Sequence, residues 1–122
     1  MLLNKVLLIG NVGAEPNYRR LTKESSVANL SVATSRVFTS RDGSKEERTE
    51  WHNVVCFNKL ADVAHDYVRK GTQVYVEGEL QSRKFTDKDG VDRRITEVRA
   101  DRLQILDKKP ADAPVAVDDM PF

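Results

Sequence analysis

The alternation of hydrophobic and polar positions along the 122-residue chain predicts five β-strands and one helix. The first strand covers residues 2–12, and its central run from Val6 to Ile9 is apolar at every position. A strand with one solvated face would alternate, whereas this one carries apolar side chains on both faces. We therefore expect it to be covered on both sides, by its own domain and by another subunit.

Two pairs of later strands have the pattern of long hairpins. Residues 27–37 and 49–57 form the first predicted pair, and residues 73–86 and 93–106 form the second. Each pair is separated by a turn sequence that contains an Asp-Gly step, which favours a reversal of the chain.

One helix is predicted between the hairpins, from Asn58 to Lys70. Asn58 is placed to cap its first turn, and Gly71 follows where a left-handed residue ends many helices. The apolar residues recur at helical spacing: Leu60, Val63, Ala64, Tyr67 and Val68. Three strands, one helix and two strands are typical of an all-β, five-stranded barrel of the oligonucleotide/oligosaccharide-binding (OB) type.

The pattern ends near Asp107, so residues 1–107 are predicted to form the barrel domain and residues 108–122 a short disordered linker and acidic tip. Three of the four prolines lie in the last 13 residues, together with three acids and no base. The first 109 residues hold 20 basic and 16 acidic side chains, a net charge of +4, although the whole chain has +1. A basic body with an acidic end suggests a polyanion partner for the body and a different partner for the end.

The cysteine and histidine counts argue against several classes of protein. A single cysteine, Cys56, cannot form an intramolecular disulfide, and one cysteine with two histidines makes a Cys/His zinc site implausible. The apolar run near the start has only four residues, far below a membrane span or a signal-peptide core. We expect a cytoplasmic protein without a metal, cofactor, membrane partner or small-molecule substrate.

The aromatic residues of the hairpins suggest a surface on which nucleic-acid bases stack. Trp51 and Phe57 share one face of the third strand, because an even number of positions separates them. Phe38 lies on the partner strand, and Phe85 follows two basic residues in the second hairpin. Single-stranded nucleic acid requires rings for its bases and cations for its phosphates. The alternative, that Trp51 and Phe57 belong to the core, stays open at this point.

Catalytic sites are poorly supported. His52 lacks a second histidine at metal-binding spacing and alternates with Trp51, so a structural or interface role is expected. Cys56 lies in an apolar strand and is expected to be packed rather than reactive. The segment from Gly10 to Gly13 is too short for a phosphate-binding loop.

Several stretches together resemble the bacterial single-stranded DNA-binding proteins, a family usually found as homotetramers of OB folds. The resemblance covers about the first 106 residues and the Asp-Asp-Met-Pro-Phe end. The matching stretches are 4–13, 27–34, 49–55, 59–61, 67–71, 73–78 and 83–87.

The resemblance implies roles for four groups of residues. Base stacking falls to Phe38, Trp51, Phe57 and Phe85, of which Phe38 and Phe85 stand where well-known members carry Trp. Phosphate contacts fall to Lys59, Lys70, Arg83 and Lys84. His52 matches a histidine at a subunit interface, and partner proteins are expected to bind Asp118, Asp119, Met120, Pro121 and Phe122.

The function implied by the resemblance is binding without catalysis. The chain would coat and protect single-stranded DNA during replication, recombination and repair, associated with the nucleoid, and recruit replication and repair proteins through its tip. The family usually has a long linker before the tip, whereas residues 110–117 here are only eight. A primosomal or RNA-binding OB relative is the nearest alternative, and an interaction adaptor with residual nucleic-acid binding is another.

Overall fold

The computed structural model describes residues 1–106, which form a closed β-barrel with one helix. Within this range the elements are β1 Val6–Val12, β2 Asn17–Arg20, β3 Ser26–Thr39, β4 Lys45–Phe57, α1 Lys59–Tyr67, β5 Gln73–Thr86 and β6 Asp92–Ile105. The predicted linker and acidic tip, residues 108–122, lie outside the described residues.

Five strands close the barrel in the order β1–β3–β4–β6–β5, and β5 returns to β1. β1 joins the two hairpins, because it pairs with β5 from Val6 to Asn11 and with β3 at Asn11 and Val12. β4 and β6 meet in a short parallel pairing at Val54–Val98. This arrangement confirms the predicted five-stranded OB-type barrel with one helix.

The barrel interior is filled by small and branched apolar side chains from every barrel strand. α1 packs against β3, β4 and β6 and covers part of this core with Ala61 and Ala64. The buried strand residues are Val12, Ala28, Leu30, Val32, Val54, Cys56, Val74, Val76, Val98, Ala100, Leu103 and Ile105. Burial of this apolar surface is the main force that holds the strands together.

Both hairpins extend well beyond the barrel. β3 and β4 pair without interruption from Val27–Phe57 to Thr39–Lys45, whereas only two residues of β4 pair with β6. The outer parts of β3 and β4 therefore form a two-stranded arm with two accessible faces.

The helix is shorter than predicted, and its first cap differs. Asn58 occupies the capping position with φ 55°, but its side chain makes no capping hydrogen bond. Its Oδ1 instead accepts a hydrogen bond from the Ser26 backbone N–H at 3.2 Å, so the predicted side-chain cap is wrong. α1 ends at Tyr67 because Val68 is extended, and Gly71 has the expected left-handed φ of 91° in the turn that follows.

The strand β2 is absent from the sequence-based prediction. It has four residues, pairs with the start of β3 and contacts α1. The Tyr18 ring stacks on the His65 imidazole at 4.2 Å, and its hydroxyl donates to Asp62 Oδ1 at 2.7 Å. Ser26 Oγ donates to the same oxygen at 2.9 Å, and these hydrogen bonds, that from Tyr18 foremost, hold the pKa of Asp62 below its usual range.

The first strand begins at Val6 rather than at the predicted residue 2. The Asn4 side chain takes the place of a further strand pairing: its Nδ2 donates to the Leu80 carbonyl at 2.9 Å, and its Oδ1 accepts from the Leu80 N–H at 3.0 Å. Leu7 and Ile9 point outward and are more than half exposed in the single chain. No helix of residues 1–106 is long and apolar enough to cross a membrane.

Candidate nucleic-acid interface

Alternate residues of β4 point away from the barrel core and form a surface that we call the aromatic face. Its β4 members are Trp51, Asn53, Val55 and Phe57, of which Val55 is covered by neighbouring side chains, whereas Val54 and Cys56 point into the core and are fully buried. Trp51 is 59% exposed and Phe57 36% exposed. The two rings are therefore surface residues, and the alternative that they belong to the core is excluded.

Trp51 lies against the backbone of Gly13. A Cβ atom at Gly13 would fall 2.3 Å from Cζ3 of the Trp51 ring, so any other residue at this position would displace the ring. The Gly13 N–H donates to the Ser31 carbonyl at 2.9 Å, which fixes this segment beside β3. The ring is thus supported on one side while most of its surface faces solvent.

Phe57 lies beside a guanidinium group of the neighbouring strand. Arg99 is paired with Val55 across the parallel ladder, so its side chain emerges on the aromatic face. The Arg99 guanidinium carbon lies 5.2 Å from the centre of the Phe57 ring, a cation–π distance. The pair offers a flat ring for a base and a cation for a phosphate within a few ångströms.

The second hairpin continues this face. Phe85 is 40% exposed and paired with Arg93, and Arg83 points to the same side two residues earlier. Arg83 Nε donates to Glu97 Oε1 at 3.0 Å, and the Glu97 side chain is only 3% exposed. Arg93, Arg99 and Glu97 are not predicted from the sequence, because their placement depends on the β5–β6 and β4–β6 registers.

Phe38 lies on the opposite face of the β3–β4 arm from Trp51. Trp51 is paired with Ala33, an odd number of positions from Phe38, so the two rings point to different sides. Phe38 lies instead beside Arg48, whose guanidinium carbon is 5.2 Å from the ring centre, next to a hollow of about 240 Å³. The structure therefore brings together three of the four predicted stacking residues on one side and leaves Phe38 on the other.

The four predicted phosphate-binding residues are also divided in space. Arg83 belongs to the aromatic face, whereas Lys84 points to the other side of the second hairpin, paired with Arg94. Lys59 is the first residue of α1, two positions after Phe57, and Lys70 lies in the turn after the helix. Both are exposed.

Neither His52 nor Cys56 has a reactive setting. His52 lies on the side of β4 opposite Trp51, half-buried, with Nε2 2.9 Å from Thr34 Oγ1. Burial raises the pKa of the Cys56 thiol to about 12, so the sulfur stays protonated and unreactive near neutral pH. Among residues 1–106, no three histidine, cysteine or carboxylate side chains are grouped to hold a metal ion.

Comparison with known proteins gives a consistent match. The model of the single-strand binding protein family matches residues 3–106. A single-stranded DNA-binding protein of Neisseria meningitidis serogroup A is 45% identical over 106 residues, which is 87% of this chain and 61% of the relative. Single-stranded DNA-binding protein 1 of Xylella fastidiosa is 47% identical over 108 residues, 88% of this chain and 79% of the relative. The chain thus spans about three-fifths of the Neisseria relative's length.

Two solved structures share the fold. A Plasmodium falciparum SSB in complex with ssDNA superposes with a TM-score of 0.79 at 34% identity, covering 88% of this chain and 97% of that one. A deletion mutant of the single-stranded DNA binding protein from Thermus aquaticus gives a TM-score of 0.74 at 31% identity, covering 86% of this chain and 51% of that one.

Proposed function

Because the chain belongs to the single-strand binding protein family, we propose that it binds single-stranded DNA with little sequence dependence and catalyses no reaction. The observation that carries this proposal is the aromatic face, where Trp51 and Phe57 are both exposed and the guanidinium of Arg99 lies 5.2 Å from the Phe57 ring. Rings that are accessible on one side stack on any base, and the neighbouring cations attract the phosphates.

In this proposal the DNA contacts both sides of the β3–β4 arm. Trp51, Phe57 and Phe85 stack bases on the aromatic face, while Phe38 stacks a base on the opposite face with Arg48 beside it. A strand that reaches all four rings has to pass around the arm. Phosphates are bound along this path by Lys59, Lys70, Arg83 and Lys84, of which Lys84 serves the side away from Phe85.

The biological role follows from this binding. The protein coats and protects exposed single strands during replication, recombination and repair, in the cytoplasm where the nucleoid lies. The residues Asp118, Asp119, Met120, Pro121 and Phe122 recruit replication and repair proteins, because two acids followed by apolar side chains complement an apolar pocket with a basic rim.

We further propose a homotetramer. Leu7 and Ile9 form an apolar stripe on the outer side of β1, and each is more than half exposed in the single chain. Exposed apolar surface of this kind is typical of subunit contacts, and the half-buried His52 would contribute to one of them.

A titration of the full chain with oligo-dT, a duplex of equal length and an RNA oligonucleotide tests the function, with Trp51 emission as the signal. We expect strong quenching by oligo-dT, far weaker binding of the duplex, and log affinity that falls linearly with log salt. Tighter binding of RNA would favour an RNA-binding relative, and the absence of binding to all three would favour an adaptor. A mass measurement in solution at the same concentration tests the tetramer.

A further inference from the structure

Glu97 is a buried carboxylate on the aromatic face with one oxygen unused. Its side chain is 3% exposed, although glutamate is rarely buried without partners. Oε1 accepts two hydrogen bonds, from Arg83 Nε and from Gln81 Nε2, each at 3.0 Å. No donor within residues 1–106 is hydrogen-bonded to Oε2. The Glu97 carboxylate is therefore held in place through Oε1, and Oε2 remains free to accept a hydrogen bond.

A hollow of about 330 Å³ lies against this carboxylate, and we call it the polar hollow. Its lining includes Asn29, Ser31, Asn53, Arg83 and Glu97. The volume is about ten times the ~30 Å³ that one water molecule occupies in the liquid, so the space is larger than a site for a single water. It opens on the same side of the sheet as Trp51, because Ser31 and Asn53 are paired and share the orientation of that residue.

Two amide side chains at the hollow also have hydrogen-bonding groups that no other residue of the described range uses. Asn29 and Asn53 form no side-chain hydrogen bond to any other residue in the described range 1–106. Each amide carries one acceptor and two donor hydrogens. The hollow thus presents a fixed carboxylate acceptor, a guanidinium and two free amides, which is a lining suited to the hydrogen-bonding edge of a planar polar molecule.

We propose that the polar hollow receives one unstacked nucleobase of the bound strand and that Glu97 Oε2 accepts a hydrogen bond from its exocyclic amino group. Single-stranded bases expose this edge, and carboxylates accept from the amino group of cytosine. Uracil and thymine present a carbonyl oxygen in that place, which a buried carboxylate repels. The inference rests on the proposed binding of single-stranded DNA, and it makes Glu97 a specificity-determining residue within an otherwise sequence-tolerant surface.

The test compares oligo-dC with oligo-dU of the same length, since the two differ only at the base edge and share ring size and phosphates. In the Glu97→Gln variant, the two donors that hold Oε1 orient the new amide with its NH₂ in the place of Oε2. We expect the ratio of dC affinity to dU affinity to fall roughly tenfold relative to the wild type. Glu50→Gln is the matched control, because Glu50 is exposed on the other side of β4 and loses the same charge. Its ratio should equal that of the wild type.

Asn53→Leu provides a second variant that leaves the buried carboxylate in place. Asn53 is exposed at the hollow, so the substitution fills the hollow with an apolar side chain and should shift the ratio in the same direction. An unchanged ratio in a folded Glu97→Gln or in Asn53→Leu overturns the inference. Failure of both homopolymers to quench Trp51 in the wild type would instead overturn the proposed function.

Discussion

Replacement of Trp51 by alanine separates the binding surface from the barrel. Trp51 is 59% exposed, so the protein covers only about two-fifths of this residue, roughly 100 Å² of mostly apolar surface. At about 25 cal/mol per Å², the loss of this cover lowers the free energy of unfolding by at most about 2.5 kcal/mol. The loss of one stacked base costs about 1–3 kcal/mol of binding, which is roughly a 5- to 150-fold weaker affinity for each engaged site.

The assay is anisotropy of a labelled oligo-dT at constant salt, with thermal unfolding of the same samples. Val37→Ala is the control, because Val37 is 62% exposed on the same face of the arm, apolar and not aromatic. We expect it to bind as the wild type does. An affinity of Trp51→Ala within twofold of the wild type, together with wild-type emission that saturating oligo-dT leaves unchanged, would refute the assignment of Trp51 to base stacking.

Three further predictions follow from other contacts. Arg83→Ala should lower the free energy of unfolding by about 1–3 kcal/mol, because it removes a hydrogen-bond partner of buried Glu97. Lys84→Ala should change the free energy of unfolding by less than about 0.5 kcal/mol, but it should make the slope of log affinity against log salt shallower by about 0.7. Equal thermal midpoints of the two variants would contradict this expectation. Because the pKa of Asp62 is lowered in the folded state, its ionised carboxylate stabilises the fold at pH values above the unfolded-state pKa of about 3.9. This contribution is lost as the pH falls through the lower folded-state pKa. In denaturant unfolding, Asp62→Asn should therefore be less stable than the wild type at pH 7 and closer to it in stability at pH 3. Deletion of Phe122 should leave thermal stability and oligo-dT affinity intact while it abolishes capture of a tail-binding partner, and lost DNA binding with retained capture would contradict that division.

The barrel follows from the sequence because its elements are encoded locally. The strand predicted over residues 73–86 is β5, because apolar and polar positions alternate in its first half and a turn sequence follows its last residue. β2 was missed because four polar-rich residues carry no periodicity, and it is held by Tyr18 contacts to α1 that no local pattern encodes. Asn58 was assigned a cap because asparagine favours that position, but a hydrogen bond to distant Ser26 determines its orientation.

The candidate site was predictable in part for the same reason. The shared side of Trp51 and Phe57 follows from their spacing along one strand. The separation of Phe38 from them depends on the register between two strands, and the burial of Glu97 depends on the packing of β6 beside β4. Neither the register nor this packing has a signature within a few residues of the positions concerned.

The place of β1 between the two hairpins also determines when the barrel forms during synthesis. β1 pairs with β5 as far as Val6–Gly78, so its main partner emerges from the ribosome about 70 residues later. At about 5–20 residues per second this interval is roughly 4–14 s. The first hairpin, whose contacts are closer in sequence, has time to form within it. Throughout the interval β5 is not yet available to pair with the Val6–Ile9 run, so the nascent chain exposes its most apolar segment to solvent before the barrel can close.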